Sequence, residues 1–279
     1  MLLKQGCTIS HIILAGHAPA LLTGRQLPVA TPATSTMTTQ SIQQLAAQYA
    51  IPVHYFSPIA DQLKQWQAIC HAAVHKPDPD FIFVACFPSL LPDLLLNWPR
   101  KFCVNLHPSL LPAYRGPDPV FWQLRNGETH TGISLHLITP ALDAGPILHQ
   151  QLIAFPTGAT RTELDTLLSS QGAMAFSTLL ATDSFASQNQ PQQQSHYQSA
   201  PTRDDYTLET DWTAERAYNF MRGTHMPPGG YPILLNGTRL HLKTPVAFNN
   251  DASLNNRIQQ KGSRLQIQFS PGVLTAETL

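Results

Sequence analysis

The chain has 279 residues, 43% of them apolar and 12% charged, with 17 basic and 17 acidic side chains in balance. This length and apolar share suffice for a full core and suggest one large domain plus a smaller one, while the zero formal charge excludes a general attraction to nucleic acid or anionic membrane. Cys7, Cys70, Cys86 and Cys103 form no CxxC pair, the twelve histidines are scattered without HExxH, and neither a signal peptide nor an apolar run of membrane-span length is present, so a cytoplasmic protein with reduced thiols and no metal site is expected.

In chain order, residues 1–6 read as the last turn of a helix with a Gly stop, and 9–14 as a strand. Residues 16–39, rich in Pro, Thr and Ala, read as a loop. A helix over 39–50 carries Ile42, Leu45, Ala46 and Tyr49 on one face, and a short strand follows at 53–56. Pro58 opens a second helix through Leu63, Trp66, Ile69 and Cys70 that ends near Pro77, and a strand starts at Phe81. This alternation predicts an α/β, Rossmann-like, mostly parallel sheet with helices on both faces.

Residues 102–104 form an apolar run, after which Asn105, His107, Pro108, Ser109, Pro112, Arg115 and Gly116 take over, so a buried strand meets a polar loop. In an open parallel sheet that carboxyl end is where ligands bind. Asn105 and His107 are two apart, which on a strand sends both side chains to one side. Asp143 follows the next strand-like run, 132–138, and reaches the pair only through folding. An amide donor, an imidazole and a carboxylate suit acyl transfer: Asn105 and His107 stabilise an oxyanion, and Asp143 raises the His107 pKa and helps remove the proton of an attacking amine. The spacing alone also fits a hydrogen-bonded turn.

Further along, Asp118 reads as the cap of a short helix at 119–124 and Arg115 as either an anion-binding side chain or a staple within its loop. His136 either lines the site or is structural. A helix over 160–182 turns Leu164, Leu167, Leu168 and Met174 inward. Residues 184–199, with repeated Gln, Ser and Asn, read as a linker. A helix with Ala217, Phe220 and Met221 and strands at 233–235 and 240–246 come next. The remaining tail is expected to give three or four strands in all, fewer than the five or so of a small barrel.

The ordered series Asn105-x-His107-Pro-Ser109-Leu-Leu-Pro112-x-Tyr114-Arg115-Gly116, then Gly127-x-x-x-Thr131-Gly132, then Leu142-Asp143-x-Gly145-Pro146, resembles the formyltransferases that use 10-formyltetrahydrofolate. The likeness falls closest to the methionyl-tRNA formyltransferase-like and amino-sugar N-formyltransferase branches. The resemblance places the catalytic Asn, His and Asp at Asn105, His107 and Asp143. It puts 10-formyltetrahydrofolate, as formyl donor, against Ile138, Thr139 and Leu142 on one side and Phe87, Ser89 and Leu91 on the other. Ser109 and Arg115 are assigned to the acceptor, and no metal takes part. It implies a catalytic domain at 1–183, a linker at 184–202 and, at 203–279, a reduced, partial OB-like barrel. It also implies that the family's central first strand, with most of its first helix, is missing upstream of Met1, through an internal start or a truncation; a longer natural chain is the favoured expectation.

Three acceptors follow from the resemblance. Glycinamide ribotide fits poorly, since the phosphate-binding loop of that branch follows the absent first strand. Met-tRNA is supported by Tyr114-Arg-Gly and the C-terminal extension, and opposed by charge: 16–39 offers Arg25 alone where tRNA-formylating members carry a basic segment, and 203–279 holds eight basic and seven acidic residues. A small-molecule or carrier-tethered amine, such as an amino sugar nucleotide, is slightly favoured. A 10-formyltetrahydrofolate hydrolase and a folate-binding remnant without catalysis are the remaining alternatives.

Overall fold

A computed structural model describes residues 7–15, 41–57, 61–73, 78–191 and 197–279. The expected helix stop at 1–6, the loop at 16–39, the helix start at Pro58, the helix end near Pro77 and part of the linker lie outside the described residues. The chain divides into two compact units, Leu2–Cys103 and Val104–Leu279, a division that falls elsewhere than the expected 1–183, 184–202 and 203–279.

In the first unit, β1 (Ile12–Ala15) and β2 (Val53–Phe56) pair in parallel from Ile12 opposite Val53 to Ala15 opposite Phe56. Between them comes α1 (Ile42–Gln48), started by a reciprocal cap in which Ser41 Oγ accepts from Gln44 N and Gln44 Oε1 accepts from Ser41 N. Of the apolar face expected on α1, Ala46 is buried and Ile42 and Tyr49 lie exposed. Helix α2 (Gln62–Ala73) buries Trp66 and Ile69, and the Trp66 ring stacks on Phe56 at 4.2 Å. Strand β3 (Phe81–Ala85) and the one-turn helix α3 (Asp93–Leu96) complete this unit, with Leu95 joining the same core.

In the second unit, which takes β4 (Phe102–His107) from Val104 onward, β4, β5 (His130–Leu137) and β6 (Ile147–Ala154) run antiparallel. The α/β class therefore holds, with a parallel pair early in the chain and an antiparallel ladder where the site forms. Asp118 caps α4 (Pro119–Asn126) as expected, and Gly127 ends it at φ 76°. Helix α5 (Arg161–Thr182) starts from a second reciprocal cap, Thr160 with Glu163. It buries Leu164, Leu168, Ala175 and Phe176, whereas Met174 is 46% exposed, contrary to its expected inward place. The buried positions 164, 168, 172, 175 and 176 follow one regular helical stripe, and Met174 falls beside it.

The C-terminal part differs from expectation. After α6 (Ala214–Gly223), five strands form one antiparallel sheet, β7 (Tyr231–Leu235), β8 (Thr238–Asn249), β9 (Ile258–Lys261), β10 (Arg264–Gln268) and β11 (Val273–Thr278), in the order β7-β8-β11-β10-β9. The expected three or four strands are thus five; β9 is almost wholly polar, whereas β10 alternates Leu265 and Ile267 with polar residues over only five positions. Phe220 of α6 meets Phe121 of α4 edge-on at 5.2 Å. Arg216 lies 4.1 Å over the Trp212 ring and donates to the Arg125 carbonyl, fixing the sheet and its helix to α4. No helix among the described residues is long and apolar enough to cross a membrane.

Candidate active site

The ladder between β4 and β5 sets the site. Asn105 stands opposite His136 and His107 opposite Ser134, so these four side chains share one face of the sheet. The alternate residue Leu106 points to the other face, where α5 covers it so closely that a Cβ on Gly172 would overlap both Leu106 methyl groups. A packed helix on one side thus holds the strand while the polar side chains face the loops on the other.

Asn105 Nδ2 donates to His136 Nε2 at 3.1 Å, and His136 Nδ1 donates to the Leu137 carbonyl at 3.0 Å. This pattern fixes the neutral tautomer with its proton on Nδ1. Burial, and next the neighbouring His107, push the His136 pKa down to about 4. An amide carries two hydrogens, so Asn105 has one N–H beyond the bond to His136.

His107 is 4% exposed, and its Nε2 donates to the Tyr114 carbonyl at 2.8 Å. Its Nδ1 then faces Asp143 Oδ2 at 3.7 Å, and Asp143 Oδ1 lies 3.7 Å from His136 Nε2. Burial lowers the His107 pKa below its ordinary value, with the Asp143 carboxylate and the Tyr114 carbonyl pulling the other way. A bare imidazole nitrogen facing a carboxylate has no hydrogen to share. A proton that enters the gap turns two acceptors into an ion pair.

Asp143 has a φ of 50°, a left-handed conformation that costs a non-glycine residue about 1–2 kcal/mol. It is held by the Gly116 amide, which donates to Oδ2 at 2.9 Å. Gly145 lets the chain return after it, since a Cβ there would overlap the Leu137 carbonyl. The loop from His107 to Gly116 rests on side chains of β5 and β6. Ser134 Oγ donates to Ser109 O at 2.7 Å and accepts from Leu111 N at 3.0 Å, and Gln150 Nε2 donates to Leu111 O at 2.8 Å.

The structure therefore brings Asn105, His107 and Asp143 together as expected from their order, and adds His136. Two other expectations change. Ser109 is fully buried and its hydroxyl donates to Ala113 O at 2.7 Å, so it shapes the loop and presents nothing to an acceptor. Arg115 is held as a staple: Nε and Nη2 donate to Gln190 Oε1 at 3.1 and 2.6 Å. Ile138 and Thr139 are half-buried and Leu142 is 41% exposed beside Asp143. Phe87 and Leu91 belong to the other unit and pack against its Phe56–Trp66 core, and Ser89 is half-buried there. Gln190, invisible as a site residue within a Gln-rich stretch, is 9% exposed and bonded to both loops. No set of three or more His, Cys, Asp or Glu among the described residues is placed to hold a metal ion.

An amide, two imidazoles and a carboxylate thus gather at the end of a sheet strand in an α/β chain. The family model described as formyl transferase matches residues 26–180, and the chain belongs to that family. The methionyl-tRNA formyltransferase of Acidobacterium capsulatum is 32% identical over 245 residues, covering 84% of this chain and 74% of that protein. That of Syntrophus aciditrophicus is 34% identical over 172 residues, covering 61% of this chain and 55% of the relative, so the chain spans about half of that protein's length. Among solved structures, an N-formyltransferase from Helicobacter canadensis, in complex with folinic acid and dTDP-3-aminofucose, has a TM-score of 0.56 at 16% identity, over 88% of this chain and 84% of that one. HypX from Aquifex aeolicus has a TM-score of 0.56 at 13% identity, over 82% of this chain and 40% of that one. At these identities the two structures share the fold.

Proposed function

We propose that this chain transfers a formyl group from 10-formyltetrahydrofolate to a primary amine. The observation that carries the reading is the single face of β4 and β5 on which Asn105, His107 and His136 meet Asp143, in a chain of the formyl transferase family. The folate donor supplies an activated formyl group when bound. Its edge is assigned to Ile138, Thr139 and Leu142, with Phe87, Ser89 and Leu91 carried over from the family likeness.

Asn105, oriented by His136, directs its second N–H at the oxygen on which negative charge develops as the amine adds, a donor worth about 10²–10³ in rate. The His107–Asp143 gap accepts the proton that the amine sheds and becomes an ion pair as it does so. The same proton is then available to the departing nitrogen. His107 thus works as a proton-holding group, with Nε2 engaged at Tyr114, and Asn105 is the side chain left to bind the oxyanion.

For the acceptor, a small-molecule or carrier-tethered amine is the preferred reading, because residues 203–279 are near neutrality with eight basic and seven acidic side chains. Met-tRNA is the second reading, favoured by the 32% identity to a methionyl-tRNA formyltransferase over 84% of this chain. The test follows tetrahydrofolate release by the purified chain with amino sugar nucleotides, with Met-tRNA and with no amine. Release dependent on an amino sugar supports the first reading, and release dependent on Met-tRNA, weakened steeply by salt, the second. Release without any amine marks a hydrolase, and no release overturns formyl transfer.

A further inference from the structure

Gln190 belongs to no helix or strand, yet its amide is engaged at both ends. Oε1 accepts from Arg115 Nε and Nη2, at 3.1 and 2.6 Å. Nε2 donates to the carbonyls of Asp143, at 2.9 Å, and Gly145, at 2.7 Å. Residues 188, 198 and 199 bond to the same loops and to α4. Gln188 exchanges both backbone hydrogen bonds with Ile147, at 2.8 and 2.9 Å, Gln198 N donates to Arg115 O at 2.7 Å, and Trp122 Nε1 donates to Ser199 O at 2.9 Å. Gly116 must be glycine here, since a Cβ would overlap the Gln198 carbonyl.

One buried side chain therefore ties the loop that supplies Arg115, the Tyr114 carbonyl and the Gly116 amide to the loop that supplies Asp143. Both loops bend through left-handed residues, Tyr114 at φ 60° and Asp143 at φ 50°, which relax unless their surroundings hold them. A buried amide whose donors and acceptor are all engaged fixes both partners, because releasing either leaves a polar group without a bond.

We infer that Gln190 is a positioning residue that sets the Asp143 carboxylate against His107 by tying its loop to Arg115, so that a residue from a stretch composed like a linker is part of the active site's frame. This rests on the proposed formyl transfer for its kinetic consequence, and on the hydrogen bonds alone for its structural one. Q190M keeps the side-chain length and removes every polar contact. Q190E keeps an acceptor for Arg115 but sets a carboxylate against the Asp143 and Gly145 carbonyls.

Both variants are expected to lower kcat by about tenfold to a hundredfold, the scale of a misplacement of catalytic groups by about 1 Å, with the KM for 10-formyltetrahydrofolate nearly unchanged. The pH–rate profile, which reads the His107–Asp143 pair, is expected to shift. Gln188→Ala, which removes an exposed side chain and leaves the backbone pairing, serves as the control with parental kcat. Hydrogen exchange at the Gly116 amide needs no turnover and is expected to quicken in Q190M while the Leu135 amide stays protected. Unchanged Gly116 exchange, or parental kcat and pH profile in both variants, overturns the inference. If the parent chain transfers no formyl group, the functional reading fails by itself, and Gly116 exchange still decides whether Gln190 holds the two loops.

Discussion

Asn105 and His136 stand directly opposite each other in the β4–β5 ladder, with the amide of one donating to the ring nitrogen of the other at 3.1 Å. His136 can only accept this bond while neutral, and burial keeps it so down to about pH 4. The low pKa of one residue therefore sets the orientation of the other.

His136→Ala is expected to lower kcat by about tenfold to a hundredfold through a freely rotating Asn105, short of the loss from removing the donor itself. His136→Gln, whose carbonyl accepts from Asn105, is expected to recover part of that loss. Steady-state kinetics of the two variants check this; equal losses would mean that His136 acts by filling space.

Asp143→Asn is expected to lower turnover by about 10²–10⁴, the range for a general acid–base group, with folate affinity close to the parent's. The Asn oxygen still accepts from Gly116, so the loop keeps its place while the proton acceptor is gone. Single-turnover rates and a separate folate titration distinguish the two effects, and a near-parental rate refutes the assignment.

Much of this site was legible in the sequence because it lies on one short strand and its loop. The two-residue spacing of Asn105 and His107 survives as a shared face, and Asp118 caps its helix as the pattern required. His136 was ambiguous, because a histidine inside an apolar strand has no sequence signal for the residue opposite it, which is a matter of register. Gln190 left no signal, since its partners lie 75 and 47 positions away in the chain and its neighbours are other polar residues. Ser109 misled for the opposite reason: a serine in a catalytic motif reads as a ligand group, whereas here its hydroxyl closes a turn. The C-terminal strands were undercounted because β9 is almost wholly polar and β10, though it alternates Leu265 and Ile267 with polar residues, is only five residues long.

Gly172→Ala is expected to destabilise the fold by about 1–3 kcal/mol, the usual cost of an added methyl in a packed core. The new Cβ would overlap the methyl groups of Leu106, the residue between Asn105 and His107, so the strain enters the site through β4. Denaturant titration measures the stability and kcat the displacement. Adding Leu106→Ala opens room for the methyl, so the double variant is expected to be less destabilised than the sum of its single changes. Strict additivity would sink the idea that the two side chains meet.

The acid limit of stability follows from His136. Folded, it stays neutral down to about pH 4, whereas in the unfolded chain it takes up a proton near its ordinary value of 6.5. Between those values the unfolded state binds more protons, so stability falls as pH falls, and above about 6.5 this group contributes nothing. Over the full window one such histidine is worth on the order of 3 kcal/mol. The lowered pKa of buried His107 acts in the same direction. Denaturant titrations of the parent and of His136→Gln across this window separate the contribution of His136 from that of the carboxylates, which both proteins share. The parent's stability is expected to decline more steeply with acid than that of His136→Gln, and parallel declines would place the ring in solvent rather than against Asn105.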